Sequence, residues 1–121
     1  PWGDVFDGNL GNFCDAQCGF EGLNWDYDDG YSRTAPGGSY PPNGYGLYNM
    51  AGNVWEWTAD WEGSYSDTLQ ENPIGPDSGA KRVLRSGSWY LWGDSLRVSD
   101  RNFWDPTGSS EEIGFRCALT P

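Results

Sequence analysis

Metal or redox chemistry in a small chain needs thiols, imidazoles or clustered oxygen donors at usable spacing, and only the oxygen donors are abundant here. There are three cysteines and no histidine. The missing imidazole excludes a Ser-His-Asp triad, a His-ligated zinc or iron centre and an imidazole general base. Cys14 and Cys18 are close enough to bridge or to share one helical face, in either case as structural cysteines, whereas Cys117 has no obvious partner. A CxxxC with no further ligands is a weak metal signal. The densest acidic stretch is NWDYDDGY, from Asn24 to Tyr31, in which carboxylates and an amide alternate with rings. It is either a solvated acidic turn or a loop of hard oxygen donors of the kind Ca²⁺ takes.

These residues must be positioned by elements that the sequence marks unevenly. From Pro1 to Pro42 neither a 3.6- nor a 2-residue period is sustained, which predicts ordered loop. The segment PPNGYGLYNMAGNVWEWTADW, Pro41 to Trp61, opens on a turn. It then places Leu47, Met50, Val54 and Trp57 at three- and four-residue intervals, which predicts a short helix or helical turn with Asn49 and Glu56 as polar positions. Glu62 to Gly79 is rich in Ser, Asp, Pro and Gly and reads as an exposed excursion. Strands are expected within Lys81 to Trp92, ending in a glycine turn, and from Ile113 to Leu119.

The length of 121 residues suits one domain. Hydrophobic residues make up only 36%, but 8 Trp and 7 Tyr are among them, so the core must be built largely from rings. With 18 Gly and 8 Pro, much of the backbone is turn and loop. A formal charge of −11 argues against nucleic acid and anionic membrane as partners and makes cations the natural counterpart. No run approaches the roughly 18 apolar residues of a spanning helix, so membrane insertion is not expected.

The segments PWGD, DDGYSRTAP, PPNGYGLYNMAGNVWEWTADW, RVLRSGSW and IGFRCA occur in this order. Together they closely resemble the formylglycine-generating-enzyme (sulfatase-modifying factor) family across nearly the whole chain. The resemblance implies a loop-rich α+β fold, a variant of the C-type lectin fold. It also implies that residues 1–121 form a single partial domain, the C-terminal portion of that fold, whose usual N-terminal strands come from an upstream segment or a second chain.

In that family two structural calcium ions brace the loops. The positions matching the first are Asn12 and Asp29 through side chains and Phe13 and Tyr31 through carbonyls. Those matching the second are Asn49 and Glu56 through side chains and Gly52 and Val54 through carbonyls. The family's enzymes oxidise a substrate cysteine with a copper-binding cysteine pair, and the matching positions here are Leu91 and Leu96. Leucine offers neither charge nor lone pair, so no catalytic residue is expected.

What the resemblance leaves is a surface, residues 90–112, like that of the variable proteins of diversity-generating retroelements. Its candidate ligand-binding residues are Tyr90, Leu91, Trp92, Asp94, Ser99, Asp100, Asn102, Phe103, Trp104 and Ser109, a mixture of rigid rings and small polar groups suited to binding a protein or glycan. Tyr90, Trp92, Phe103 and Trp104 are expected to share one exposed face, and some of Arg85, Arg97, Arg101 and Arg116 to make buried or semi-buried bonds to carboxylates and carbonyls. The alternatives are a regulatory interaction domain fused to a signalling protein, or an oxidase completed by another chain. Millimolar calcium and a Cys14–Cys18 bridge would suit an extracellular or cell-envelope location, with a cytoplasmic one as the alternative.

Overall fold

The computed structural model describes residues 2–19 and 26–119, so Asn24 and Trp25 of the acidic stretch lie outside the described residues. Its regular structure is small. Strands β1 (Trp55–Trp61), β2 (Arg82–Arg85), β3 (Asn102–Trp104) and β4 (Ile113–Gly114) form one sheet in the order β3-β2-β1-β4. β1 runs antiparallel to β2 and parallel to β4, and β2 runs antiparallel to β3. Two 3-10 turns, Gly8–Leu10 and Gly93–Ser95, complete the regular elements among the described residues.

β2 forms where Val83 and Leu84 supply branched apolar side chains, and both are buried because β1 and β3 flank the strand. The expected helical turn before it does not form. Asn49, Gly52 and Asn53 all have positive φ (51°, 71° and 67°), which no right-handed helix accommodates. The chain instead bends through these residues and leaves them as β1, whose Trp-Glu-Trp alternation is a strand pattern. Glu56 pairs with Arg85 and Trp57 with Leu84, but Trp61 pairs with Arg82, so the register shifts along the strand. The last expected strand shortens to Ile113–Gly114, and Phe115 to Leu119 are exposed and unpaired in the sheet.

The loops are held by specific contacts rather than by ladders. Asn12 and Gly52 form an isolated bridge, and Asn53 N donates to Asn12 O at 2.8 Å. A β-carbon on Gly52 would lie 1.9 Å from Asn12 O, so only glycine permits this approach. Phe13, Ala51 and Leu96 form a buried cluster against which Trp2, Phe6, Tyr27 and Leu91 pack. Cys14 and Cys18 are disulfide-bonded, closing the first loop on itself, and Cys117 is free and exposed.

Three of the four framework arginines make bonds to carboxylates or carbonyls. Arg85 donates to Val98 O (2.6 Å), Ser99 O (3.2 Å) and Asp100 O (2.8 Å), fixing the chain that leads into β3. Arg101 donates to Gly63 O at 2.5 Å and lies over the Tyr65 ring, anchoring the otherwise exposed excursion. Arg116 binds Glu56 and two carbonyls. Arg97 is exposed.

Candidate functional site

Leu91 and Leu96 both approach Gly87. A β-carbon on Gly87 would lie 2.6 Å from Leu96 Cδ2 and 3.6 Å from Leu91 Cδ1. Leu96 is 1% exposed, and Leu91 turns into the same cluster, so Leu91 is packing rather than ligand-facing surface. Its carbonyl is also committed, accepting from Cys14 N at 2.8 Å. The two positions are therefore near one another, in surroundings that are apolar and largely closed to solvent.

The remaining surface residues do not make one face. Phe103 and Trp104 are consecutive in β3, so their side chains leave opposite sides of the sheet. Phe103 lies under Lys81 Nζ, 5.0 Å from the ring centroid, while Trp104 is 45% exposed. Tyr90 is half-exposed and packs edge-on to Trp89. Ser99 and Ser109 are exposed, Asp100 is half-buried, and Asn102 Oδ1 accepts from Phe103 N.

Trp92 and Asp94 belong to a different neighbourhood. Trp92 is 57% exposed and, with Gly93 and Asp94, lines a cavity of about 360 Å³ whose other walls are Phe6, Phe13, Cys14, Asp26 and Tyr27. Phe6, Phe13 and Tyr27 meet pairwise edge to face, with centroids 5.2–5.8 Å apart. Nothing in the sequence pointed to this grouping, because the three rings stand in loop, where spacing does not determine which side chains meet. A second, larger cavity of about 720 Å³ lies under the excursion and is lined by Trp61, Tyr65, Ile74 and Arg101 among others.

The two sets of oxygen donors differ. In the first, the loops carrying them are laced together. Asn12 Nδ2 donates to Arg33 O (2.7 Å) and Asn53 Oδ1 (3.1 Å), and Asp15 Oδ2 accepts from Asp29 N (2.7 Å). Asp29 Oδ1 accepts from Tyr31 N (2.8 Å) and its Oδ2 from the Tyr40 hydroxyl. Burial pushes the Asp29 carboxyl above its usual range, against the hydrogen bonds from Tyr40 and Tyr31. Burial and the bond to Asp29 push the Tyr40 phenol up as well. Asn12 is fully buried, and its Oδ1 has no hydrogen-bond partner among the described residues. A buried amide oxygen in want of a partner is a donor of the kind a hard cation takes. Asp15 and Tyr40, buried in the same place, were not anticipated.

In the second set Arg116 intervenes. It binds both oxygens of Glu56 and also the Asn49 carbonyl at 2.7 Å. Asn49 Oδ1 accepts from Gly38 N at 2.9 Å, and its buried Nδ2 has no partner among the described residues. Gly52 and Val54 lie in the bend between Asn49 and Glu56. A calcium ion at this set would have to share Glu56 with a guanidinium.

The Sulfatase-modifying factor enzyme 1-like domain family matches residues 1–121. The chain is 38% identical over its whole length to the formylglycine-generating enzyme of Thermomonospora curvata, of which it spans 43%. It is also 38% identical, over 98% of its length, to inactive C-alpha-formylglycine-generating enzyme 2 of Mus musculus, of which it spans 35%. Among solved structures it resembles Treponema denticola variable protein 1, with a TM-score of 0.65 and 40% identity over 69% of this chain and 31% of that one. These likenesses carry the loop-rich α+β, C-type lectin-like fold expected from the sequence, and the chain spans less than half of each of these proteins.

Proposed function

We propose, from the premise that this chain belongs to the sulfatase-modifying factor enzyme 1-like domain family, that it is a ligand-binding module without oxidase activity, braced by calcium. The observation that carries this reading is the apolar packing of Leu91 and Leu96 around Gly87. Overall similarity does not decide catalysis, because a relative named as inactive and one named as an enzyme stand at the same 38% identity. The reading rests instead on the side chains at the positions that match the enzymes' cysteine pair, Leu91 and Leu96. Thiolates bind a soft metal and exchange with substrate thiols, and two leucines do neither.

Binding is supported by large rings left at the surface, Tyr90, Trp92 and Trp104, set among Ser, Asp and Asn. Rings of this kind supply contact area with few rotatable bonds, and small polar neighbours supply hydrogen bonds. Calcium is supported by the buried Asn12 Oδ1, which has no hydrogen-bond partner among the described residues, and by the part-buried Asp29 carboxylate matching the same set. The ion would be structural, supplying charge to loops that have little sheet to satisfy their polar groups.

The test has two arms. Purified protein is incubated with copper, oxygen and a peptide carrying a sulfatase-type cysteine, and the expected result is no aldehyde; aldehyde formation overturns the reading. The protein is then screened against a glycan array and a displayed peptide library. Ligands are expected whose capture falls at least about tenfold on Trp104→Ala or Tyr90→Ala with the melting temperature retained. Failure of both libraries to yield such a ligand counts against the binding module.

A further inference from the structure

We infer that the cavity between the N-terminal loop and Trp92 is a recognition site for a trimethylammonium group. This inference rests on the binding-module reading and names the ligand chemistry for one part of it. The walls are four rings. Phe6, Phe13 and Tyr27 stand nearly perpendicular to one another, at interplanar angles of 85°, 87° and 73°, so they form a corner of aromatic surface. Trp92 is the fourth ring of the lining and is itself 57% exposed, which leaves a ring surface accessible from solvent.

Gly93, beside Trp92 in the lining, packs directly against the Phe6 ring. A β-carbon there would lie 2.3 Å from Phe6 Cζ, so any other residue would displace the Phe6 ring. The carboxylates of Asp26 and Asp94 are the charged groups of the lining. A cavity of about 360 Å³ is at the small end of ligand sites.

Electron-rich ring faces attract a cation and hold it best when it is large, weakly hydrated and able to touch several rings at once, which describes a quaternary ammonium. A small metal ion would keep much of its water in such a lining, since most of its side chains are hydrocarbon rings. A neutral apolar group would fill the same rings but gain nothing from the two acids. A phosphate or carboxylate would meet like charge at Asp26 and Asp94, in a protein of net charge −11.

Calorimetric titration of the purified protein with choline and with 3,3-dimethylbutanol, its neutral isostere, separates charge from shape. Choline is expected to bind saturably and at least about tenfold more tightly than the isostere. Trp92→Ala is expected to abolish the difference, and Asp94→Asn to reduce choline affinity several-fold while leaving the isostere unchanged. Both residues are exposed, and unchanged melting curves would confirm that the variants fold. Equal binding of choline and the isostere, no binding of choline at millimolar concentration, or a Trp92→Ala variant that binds choline like the parent would overturn the inference. A trimethyllysine peptide binding more tightly than choline would assign the ammonium group to a protein chain, and equal affinity to a free small molecule. Loss of choline binding while library ligands still depend on Trp104 or Tyr90 would remove this site and leave the binding module standing.

Discussion

Arg116 grips Glu56 at two points, Nε donating to Oε2 at 2.6 Å and Nη2 to Oε1, while the same guanidinium donates to Tyr48 O at 2.9 Å and Asn49 O at 2.7 Å. One side chain just past β4 thereby ties β1 to the positive-φ turn before it. The Glu56 side chain is only 16% exposed, against 39% for Arg116, so removing the arginine leaves a half-sequestered carboxylate without its partner. Arg116→Ala is expected to cost about 2 kcal/mol, below a fully buried pair because solvent reaches the guanidinium. Arg116→Lys should recover less than half, since an ammonium cannot make the planar two-point contact. Urea unfolding measures both, and a loss under about 0.5 kcal/mol for the alanine variant would reduce the pair to a surface contact.

Gly52 carries a sharper constraint. Its φ is +71°, and an added β-carbon would sit 1.9 Å from Asn12 O, a backbone atom that cannot rotate away. Gly46 has a similar φ of +76° with nothing within 4 Å, so it separates dihedral cost from collision. Gly46→Ala should cost about 1 kcal/mol and Gly52→Ala at least about 3 kcal/mol or prevent folding. Equal effects in thermal unfolding would show that the Asn12–Gly52 contact relaxes readily.

The contrast between β1 and β2 shows what was legible in the sequence. RVLRSGSW carries its own local signal, branched residues and then a glycine turn, and the strand lies where that signal puts it. WEWTADW carries a strand alternation too, but the spacing of Leu47, Met50, Val54 and Trp57 runs into it and imitates a helix. Only the dihedral angles of Asn49, Gly52 and Asn53 decide between them, and asparagine permits positive φ without requiring it. The paired leucines beside Gly87 were legible through family motifs. The cavity rings at Phe6, Phe13 and Tyr27 were not, because a loop-built site has no period and is assembled by contacts between distant residues.

Calcium should register in stability before it registers in binding. Excess chelator is expected to lower the melting temperature by about 5 °C, since an ion that binds only the folded state stabilises it by mass action. Asp29→Asn should remove most of that difference if the ion sits beside Asn12, whereas Glu56→Gln should remove it if the ion shares Glu56 with Arg116. Curves that coincide with and without chelator, together with no calcium by elemental analysis, would dispose of the structural ion.

Tyr40 gives a pH dependence of definite sign. Its folded-state pKa lies above the ordinary value of 10.0, chiefly through burial and then through its bond to Asp29. The stability it contributes is therefore fully present below pH 10 and is lost as pH rises from there towards the folded-state value. The melting temperature should fall between pH 10 and pH 11 in the parent protein and fall less steeply in Tyr40→Phe. Parallel slopes would mean that the phenol is not held in its protonated form by the fold.

Leu96 and Trp104 should separate packing from recognition. Leu96 is 1% exposed, in contact with Phe13 and Ala51 in the buried cluster, and truncation leaves a cavity that rigid neighbouring rings cannot collapse into. Leu96→Ala should cost about 3 kcal/mol. Trp104 is 45% exposed on β3, at one edge of the sheet, so Trp104→Ala should cost less than about 1 kcal/mol. Its ring nitrogen and Cδ1 nonetheless close over Gly108, where a β-carbon would lie 2.4 Å from Nε1, so the indole has a defined seat rather than a free rotamer. A ring that is both exposed and seated is already ordered before a ligand arrives and loses little rotational freedom on binding. Urea unfolding and capture of a library ligand, measured on the same two variants, should therefore give opposite rankings. If Trp104→Ala unfolds the protein as readily as Leu96→Ala, the indole is core, and the surface at residues 90–112 loses one of its exposed rings as a ligand contact.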